Sequence, residues 1–194
     1  MQFVKEIDCE TIMSNQYVRR ALYKVVQTDE EGKSKSKWIR IMDGDMDCNG
    51  PKKCTITYKD KDKDLTSEQN AVLKVDNFED ATHLFDLIGF QCTSYQENLR
   101  TKFICALDNV KYILRFDVWP GINEFIFINI NAKNSATQEN INDFINVLGL
   151  NSFNVTQEKY NDVDNIYRNK YSIPASEIPR VTFETDFEDL FDSN

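Results

Sequence analysis

Lys111-Tyr-Ile-Leu-Arg-Phe-Asp-Val-Trp-Pro-Gly-Ile-Asn-Glu-Phe-Ile-Phe-Ile-Asn-Ile130 is two strand-like runs around a bend. In the first run a strand's alternation puts Lys111, Ile113, Arg115 and Asp117 on one face and Tyr112, Leu114 and Phe116 on the other. In the second, Phe125, Phe127 and Asn129 alternate with Ile126, Ile128 and Ile130. That run is apolar on both faces, as in a strand covered on both sides. Trp119-Pro120-Gly121 supplies the bend, because proline presets one turn dihedral and glycine tolerates the next. Charges confined to one face of a β-run can line the inside of a barrel.

The rest of the chain sets the bounds. Its 194 residues are most simply one domain with a full-sized core. No apolar run is long enough to cross a membrane, and residues 1–20 do not read as a signal peptide, so a cytoplasmic protein is expected. A net charge of -9 argues against nucleic acid held by bulk electrostatics, but not against a small anion in a local basic pocket. Cys9, Cys48, Cys54, Cys92 and Cys105 form no Cys-x-x-Cys pair and are expected to be reduced structural thiols. His83 is the only histidine, which makes a zinc site or a Ser-His-Asp engine improbable.

Before the central stretch the chain reads as strands. Residues 3–10 can form one with Glu6, Asp8 and Glu10 on a face, and Tyr17–Val26 another. Gly32-Lys33-Ser34 lacks the first glycine of a phosphate loop, since Gln27 stands there. Trp38–Met42 and Lys53–Lys59 form an expected hairpin. Its loop, Asp45-Met-Asp47-Cys-Asn49-Gly50, matches the first six positions of a calcium loop. Ile56 stands where the bidentate glutamate is needed, so a turn is the better reading. Ala71–Val75 and Asn98–Ala106 are further strands. Asp76 or Asn77 caps a helix to Ile88, with Phe78, Ala81, Leu84, Phe85 and Ile88 as its apolar stripe and Gly89 as its stop.

After the central stretch, Ser135 with Gln138 is expected to cap a helix over Ala136–Leu148. A third helix is expected near Asp162–Tyr171. Residues 1–183 thus form one domain. Residues 184–194 are an acidic tail, a frayed end rather than a docking helix.

Several of these motifs carry a resemblance. Asp117, Trp119, Pro120 and Gly121 resemble the strand–turn–strand of the CYTH superfamily, the triphosphate tunnel metalloenzymes, which include class IV adenylyl cyclases and thiamine triphosphatases. Trp38–Met42 resembles the family's Trp-Leu-Arg-x-Arg strand with Arg40 kept. Cys54–Lys59 resembles its Val-Thr-Leu-Thr-x-Lys strand with Lys59 kept. Val75–Phe90 is close to its strand-to-helix unit, and Arg100 is the clearest match to its basic cluster. The run at Asp164–Tyr171 with Pro179–Phe183 resembles its last helix and strand. Glu6-Ile-Asp8-Cys-Glu10 partly matches its opening Glu-x-Glu-x-Lys, with glutamate in place of the lysine.

The resemblance implies an α+β fold: an antiparallel barrel, or tunnel, of about eight strands with helices packed outside. It implies phosphate or nucleotide contacts from Arg20, Arg40, Lys59, Arg100, Lys102 and Arg115, all in expected strands. The family's enzymes hold magnesium or manganese on carboxylates. Here Phe127 and Asn129 stand where an acidic pair belongs, and Asn70, Val72 and Lys74 replace further acids. Glu6, Asp8 and Asp117 are the remaining candidate metal ligands. The leading expectation is therefore a barrel that binds a nucleotide, cyclic nucleotide or polyphosphate with weak or absent catalysis, as a sensor or a sequestering protein. An active Mg- or Mn-dependent triphosphatase or cyclase is the first alternative. The second is a protein-interaction domain whose tunnel is filled by side chains such as Met42, Val72 and Phe127. Oligomeric state is not legible.

Overall fold

The computed structural model describes residues 7–28, 34–46, 51–60, 69–133, 136–152 and 162–191. Eight strands form one sheet: β1 (Asp8–Thr28), β2 (Ser34–Met46), β3 (Lys52–Asp60), β4 (Gln69–Val75), β5 (Cys92–Leu107), β6 (Val110–Val118), β7 (Ile126–Ala132) and β8 (Arg180–Val181). Their order is β4-β3-β2-β1-β5-β6-β7, with neighbours antiparallel and β8 pairing with β5 in parallel. Helices α1 (Phe78–Leu87), α2 (Gln138–Val147), α3 (Asp162–Tyr171) and α4 (Phe187–Phe191) pack around it. The expected α+β class, strand number and helical covering are all present.

The sheet is not closed. Among the described residues β4 and β7 are its edges, each paired with one neighbour. These edges are seven residues long, beside central strands of 21 and 16 residues. Closing a barrel requires edges that meet along a common length.

Residues 3–10 and Tyr17–Val26, expected as separate strands, join in β1 from Asp8 onward. The β1–β5 ladder runs from Asp8 opposite Ala106 to Tyr23 opposite Cys92. Register shifts between Thr11 and Met13 and between Met13 and Gln16 absorb extra residues, and Asn15 takes φ 48 there. Such bulges bend a strand and raise its twist without ending it. The register also sets Cys9 directly opposite Cys105, and the two form a disulfide with Cα atoms 4.1 Å apart. The expectation of reduced thiols is corrected there: pairing was set by the ladder, and neither cysteine lies in a spaced motif. Cys54 is a buried free thiol and Cys92 an exposed one. Cys48 lies outside the described residues.

Two apolar layers cover one face. Under α1, Ala21, Tyr23, Ile41 and Cys54 meet Phe78, Ala81 and Phe85. Asn77 caps this helix by accepting from the Asp80 amide at 2.7 Å, and Gly89 ends it at φ 88. Leu84 and Ile88, expected in the stripe, are exposed. Under α2, the rings of Tyr112 and Phe144 stack at 4.0 Å. Thr137 and Asn140 form this helix's capping box, so the cap lies later than the expected one at Ser135, which is outside the described residues.

A third cluster gathers Trp119, Ile122, Tyr167, Ile178, Val181 and Phe187. The C-terminal tail is not frayed through Phe191. Phe187 is buried, and it and Phe191 stack on Tyr171 at 5.3 and 5.0 Å. Asp186 accepts the amides of Glu188 and Asp189. The mix of acids and aromatics is thus one amphipathic turn with its aromatic side docked.

Candidate functional site: a buried polar face

Strand alternation on β5 places Ser94, Gln96, Asn98, Arg100 and Lys102 on one face, and each is at most 5% exposed. A polar row this deep needs partners, since an unpaired buried polar group is costly. At one end, Ser94 donates to the carbonyls of Ala175 and Ile178, and Gln96 donates to Ala175. The segment after α3 therefore covers that end of the face.

The ladder brings the other groups alongside. Arg20 on β1 lies opposite Gln96 and Met42, Arg40 on β2 opposite Leu22 and Thr57, and Arg115 and Asp117 on β6 opposite Lys102 and Arg100. Phe127 and Asn129 on β7 lie opposite Asp117 and Arg115. The register puts Arg20, Arg40, Arg100, Lys102 and Arg115 on one face of the sheet.

These cations are not in equivalent surroundings. Arg100 donates to both oxygens of Asp117, Nε at 2.7 Å and Nη2 at 2.8 Å, and its Nη1 lies 3.4 Å from Asp45. Burial disfavours its charge, but Asp117 and Asp45 outweigh burial and hold its pKa above the ordinary arginine value. Lys102 contacts Asp45 at 3.2 Å and donates to the Met46 carbonyl. Its ammonium is thus engaged within the protein. Arg115 donates to Asn129 at 2.5 Å.

Arg20 differs from all of these. Its Nη2 donates to Asn98, whose own amide donates to Asp117 at 3.0 Å. Its guanidinium carbon lies 4.5 Å from the Trp119 ring centre, a cation–π contact. Its buried Nε has no hydrogen-bond partner, and no carboxylate bonds it among the described residues. Burial, then the like charges of Arg40 and Arg100, push its pKa down to about 9. It is still charged at neutral pH, in a place where charge is disfavoured.

The α3 helix fixes the turn that carries Trp119. Tyr167 donates to the Pro120 carbonyl, Tyr171 to the Gly121 carbonyl at 2.6 Å, and Lys170 to the same carbonyl at 2.8 Å. Residues spaced three and four apart share a helix face, so one face grips both carbonyls. A side chain at residue 121 would meet Phe187 at 2.8 Å, and Gly121 has φ 69.

Of the expected metal ligands, Asp8 and Asp117 are not brought together. Glu6 lies outside the described residues, as does the side chain of Lys59. Asp8 is exposed at the far end of the β1–β5 ladder, opposite Ala106, whereas Asp117 neighbours Arg100. The long ladder separates what a short loop would have joined. Asp117 is taken up by Arg100 and Asn98, and Phe127 packs against the Trp119 cluster. Among the described residues no three acidic, histidine or cysteine side chains are grouped to hold a metal. The described residues of this face therefore do not fit magnesium or manganese.

The sequence reading missed Asp45, Asn98 and Trp119 as site residues. The period-two polar run from Ser94 to Lys102 was a visible signal for Asn98. Gly44, a glycine inside a strand, was the signal for Asp45.

No protein-family model matches the chain, and no curated protein matches it. Solved structures are similar to most of it. A conserved hypothetical protein of Pyrococcus furiosus is 20% identical over 79% of this chain and 85% of its own, with a TM-score of 0.46. A Pyrococcus horikoshii protein is 22% identical over 78% and 84%, with a TM-score of 0.44. A candidate adenylate cyclase of Vibrio parahaemolyticus is 11% identical over 74% and 73%, with a TM-score of 0.40. At these scores the overlap is loose, and the chemistry rests on the residues of the face itself. No helix among the described residues is long and apolar enough to cross a membrane.

Proposed function

We propose that this protein binds a compact polyanion, a nucleotide or a polyphosphate, on the polar face of its sheet, and that it does so without a metal and with little or no turnover. The observation that carries this reading is Arg20. Its guanidinium is buried beside two other arginines, with a hydrogen-bonding nitrogen unused and no carboxylate bonded to it. Proteins rarely keep an uncompensated charge buried. A phosphate oxygen at this point would satisfy the nitrogen and offset the mutual repulsion of the arginines.

The carboxylates argue against metal-assisted chemistry at this face. Asp117 and Asp45 lie against Arg100 and Lys102, where they act as counter-ions. Cations that bind ground state and transition state alike tighten binding without raising the chemical rate. A sensor or a sequestering protein fits such a face, and a cytoplasmic setting would supply the ligands.

A thermal-shift screen of nucleoside triphosphates, cyclic nucleotides and tripolyphosphate, with and without Mg²⁺, tests the reading. A polyanion should raise the melting temperature equally in both series, with no product released. Stabilisation that appears only with Mg²⁺, accompanied by turnover, would replace it with an enzyme.

A further inference from the structure

Asp45 reaches the polar face by a deliberate irregularity. On β2, Met42 lies opposite Thr55 and Asp45 opposite Lys53, so β2 carries one extra residue against β3. Plain alternation would send Asp45 to the face of Ile41 and Asp43. The extra residue turns it to the face of Arg40 and Met42. Gly44 makes this possible, with φ 93 and an approach so close that a Cβ would lie 2.4 Å from the Tyr17 carbonyl oxygen. The obstacle is backbone and cannot yield, so only glycine fits.

The re-aimed carboxylate meets two cations loosely. It lies 3.4 Å from Arg100 Nη1 and 3.2 Å from Lys102 Nζ, beyond the 2.7–2.9 Å usual for charged pairs. Asp117, by contrast, holds Arg100 through two bonds of 2.7 and 2.8 Å. One carboxylate is locked in place and the other is held at arm's length. Arg100 Nη1 and Lys102 Nζ are the donors that an anion extending from Arg20 along β5 would reach next.

We propose that Asp45 is an internal competitor for the ligand and sets the length of anion that this face accepts. The inference rests on the anion reading above. A single phosphate lodged at Arg20 leaves Asp45 where it is. A chain of several phosphates must displace the Asp45 carboxylate from Arg100 and Lys102. Asp45 thereby lowers affinity for every long anion and admits only those whose added charge outweighs its own.

Calorimetric titration of the full chain with orthophosphate, pyrophosphate and tripolyphosphate, all metal-free, tests this in wild type and Asp45→Asn. The variant should bind tripolyphosphate about tenfold more tightly, with little gain for orthophosphate. Carboxyl carbon NMR of the wild type gives a second measurement that needs no variant. The Asp45 signal should move when tripolyphosphate saturates the protein and stay in place with orthophosphate. Wild-type binding with no gain in Asp45→Asn, an equal gain for all three anions, or an unmoved Asp45 signal would overturn the proposal alone. Binding of no anion by either protein would overturn the anion reading and this proposal with it.

Discussion

Arg20 and Arg100 share one buried face, yet they are opposites. Arg100 is clasped by Asp117 and touched by Asp45, and its charge is stabilised in the fold. Arg20 stacks on Trp119, bonds Asn98 and is crowded by arginines. Both side chains cost desolvation energy, but only Arg100 recovers it inside the protein. Burial alone therefore does not mark a binding residue. Burial without a bonded carboxylate is what sets Arg20 apart from Arg100, and the proposed reading assigns that difference to a ligand.

The largest effect expected from this contrast is on stability. Arg100→Met strands Asp117 among apolar and polar neighbours, and breaking a buried pair in this way costs about 3–5 kcal/mol. Urea unfolding should show it as a lowered midpoint. Arg20→Met should cost much less in the absence of ligand, about 1 kcal/mol, because it strands no carboxylate and leaves only the Asn98 amide oxygen without its donor. Equal losses from both variants would erase the distinction.

A smaller effect sharpens it. Tyr167→Phe removes the hydroxyl that holds the Pro120 carbonyl, at about 1 kcal/mol for a buried hydrogen bond. Trp119 would then sit less firmly against Arg20, so a modest loss of polyanion affinity should accompany the loss in stability. If affinity is unchanged, the C-terminal cluster serves the fold and not the site.

The smallest effect concerns acid. Burial opposes the ionisation of Asp45, but Arg100 and Lys102 prevail and hold its pKa below the usual carboxylate value. A depressed carboxylate contributes stability that is present above its unfolded pKa of about 3.9 and is lost as pH falls through the folded value. Asp45→Asn should therefore flatten the acid limb of the stability profile and leave the neutral region nearly level. A limb unchanged by the substitution would show that the carboxylate is not ion-paired in solution.

Much of this was legible in the chain. Alternation at Lys111–Asp117 placed Arg115 and Asp117 on the face where β6 presents them, and Asn77 and Gly89 marked the ends of α1. Local chemistry carries such features. Ile126 and Ile128, expected in a strand covered on both sides, are exposed on the edge strand β7, and Leu84 and Ile88 of the expected α1 stripe are exposed too. What was not legible depends on register between distant strands. Nothing near Cys9 in sequence announces Cys105, and no short-range pattern says that Arg100 meets Asp117 whereas Arg20 does not. Asp45 was read as part of a loop because its side is decided by one extra residue at Gly44, and a one-residue shift reverses every side chain beyond it. The acidic tail was misjudged for a related reason: the docking of Phe187 needs Tyr171 and Gly121, which come from elsewhere.

The central claim is that Arg20 is buried for a ligand. Calorimetric titration of metal-free wild type and Arg20→Ala with tripolyphosphate addresses it directly. The account predicts binding by the wild type that is unchanged by Mg²⁺, and a loss in Arg20→Ala of about 1.5–3 kcal/mol, roughly 10- to 150-fold in affinity. No binding by the folded wild type, or equal binding by both proteins, would contradict it.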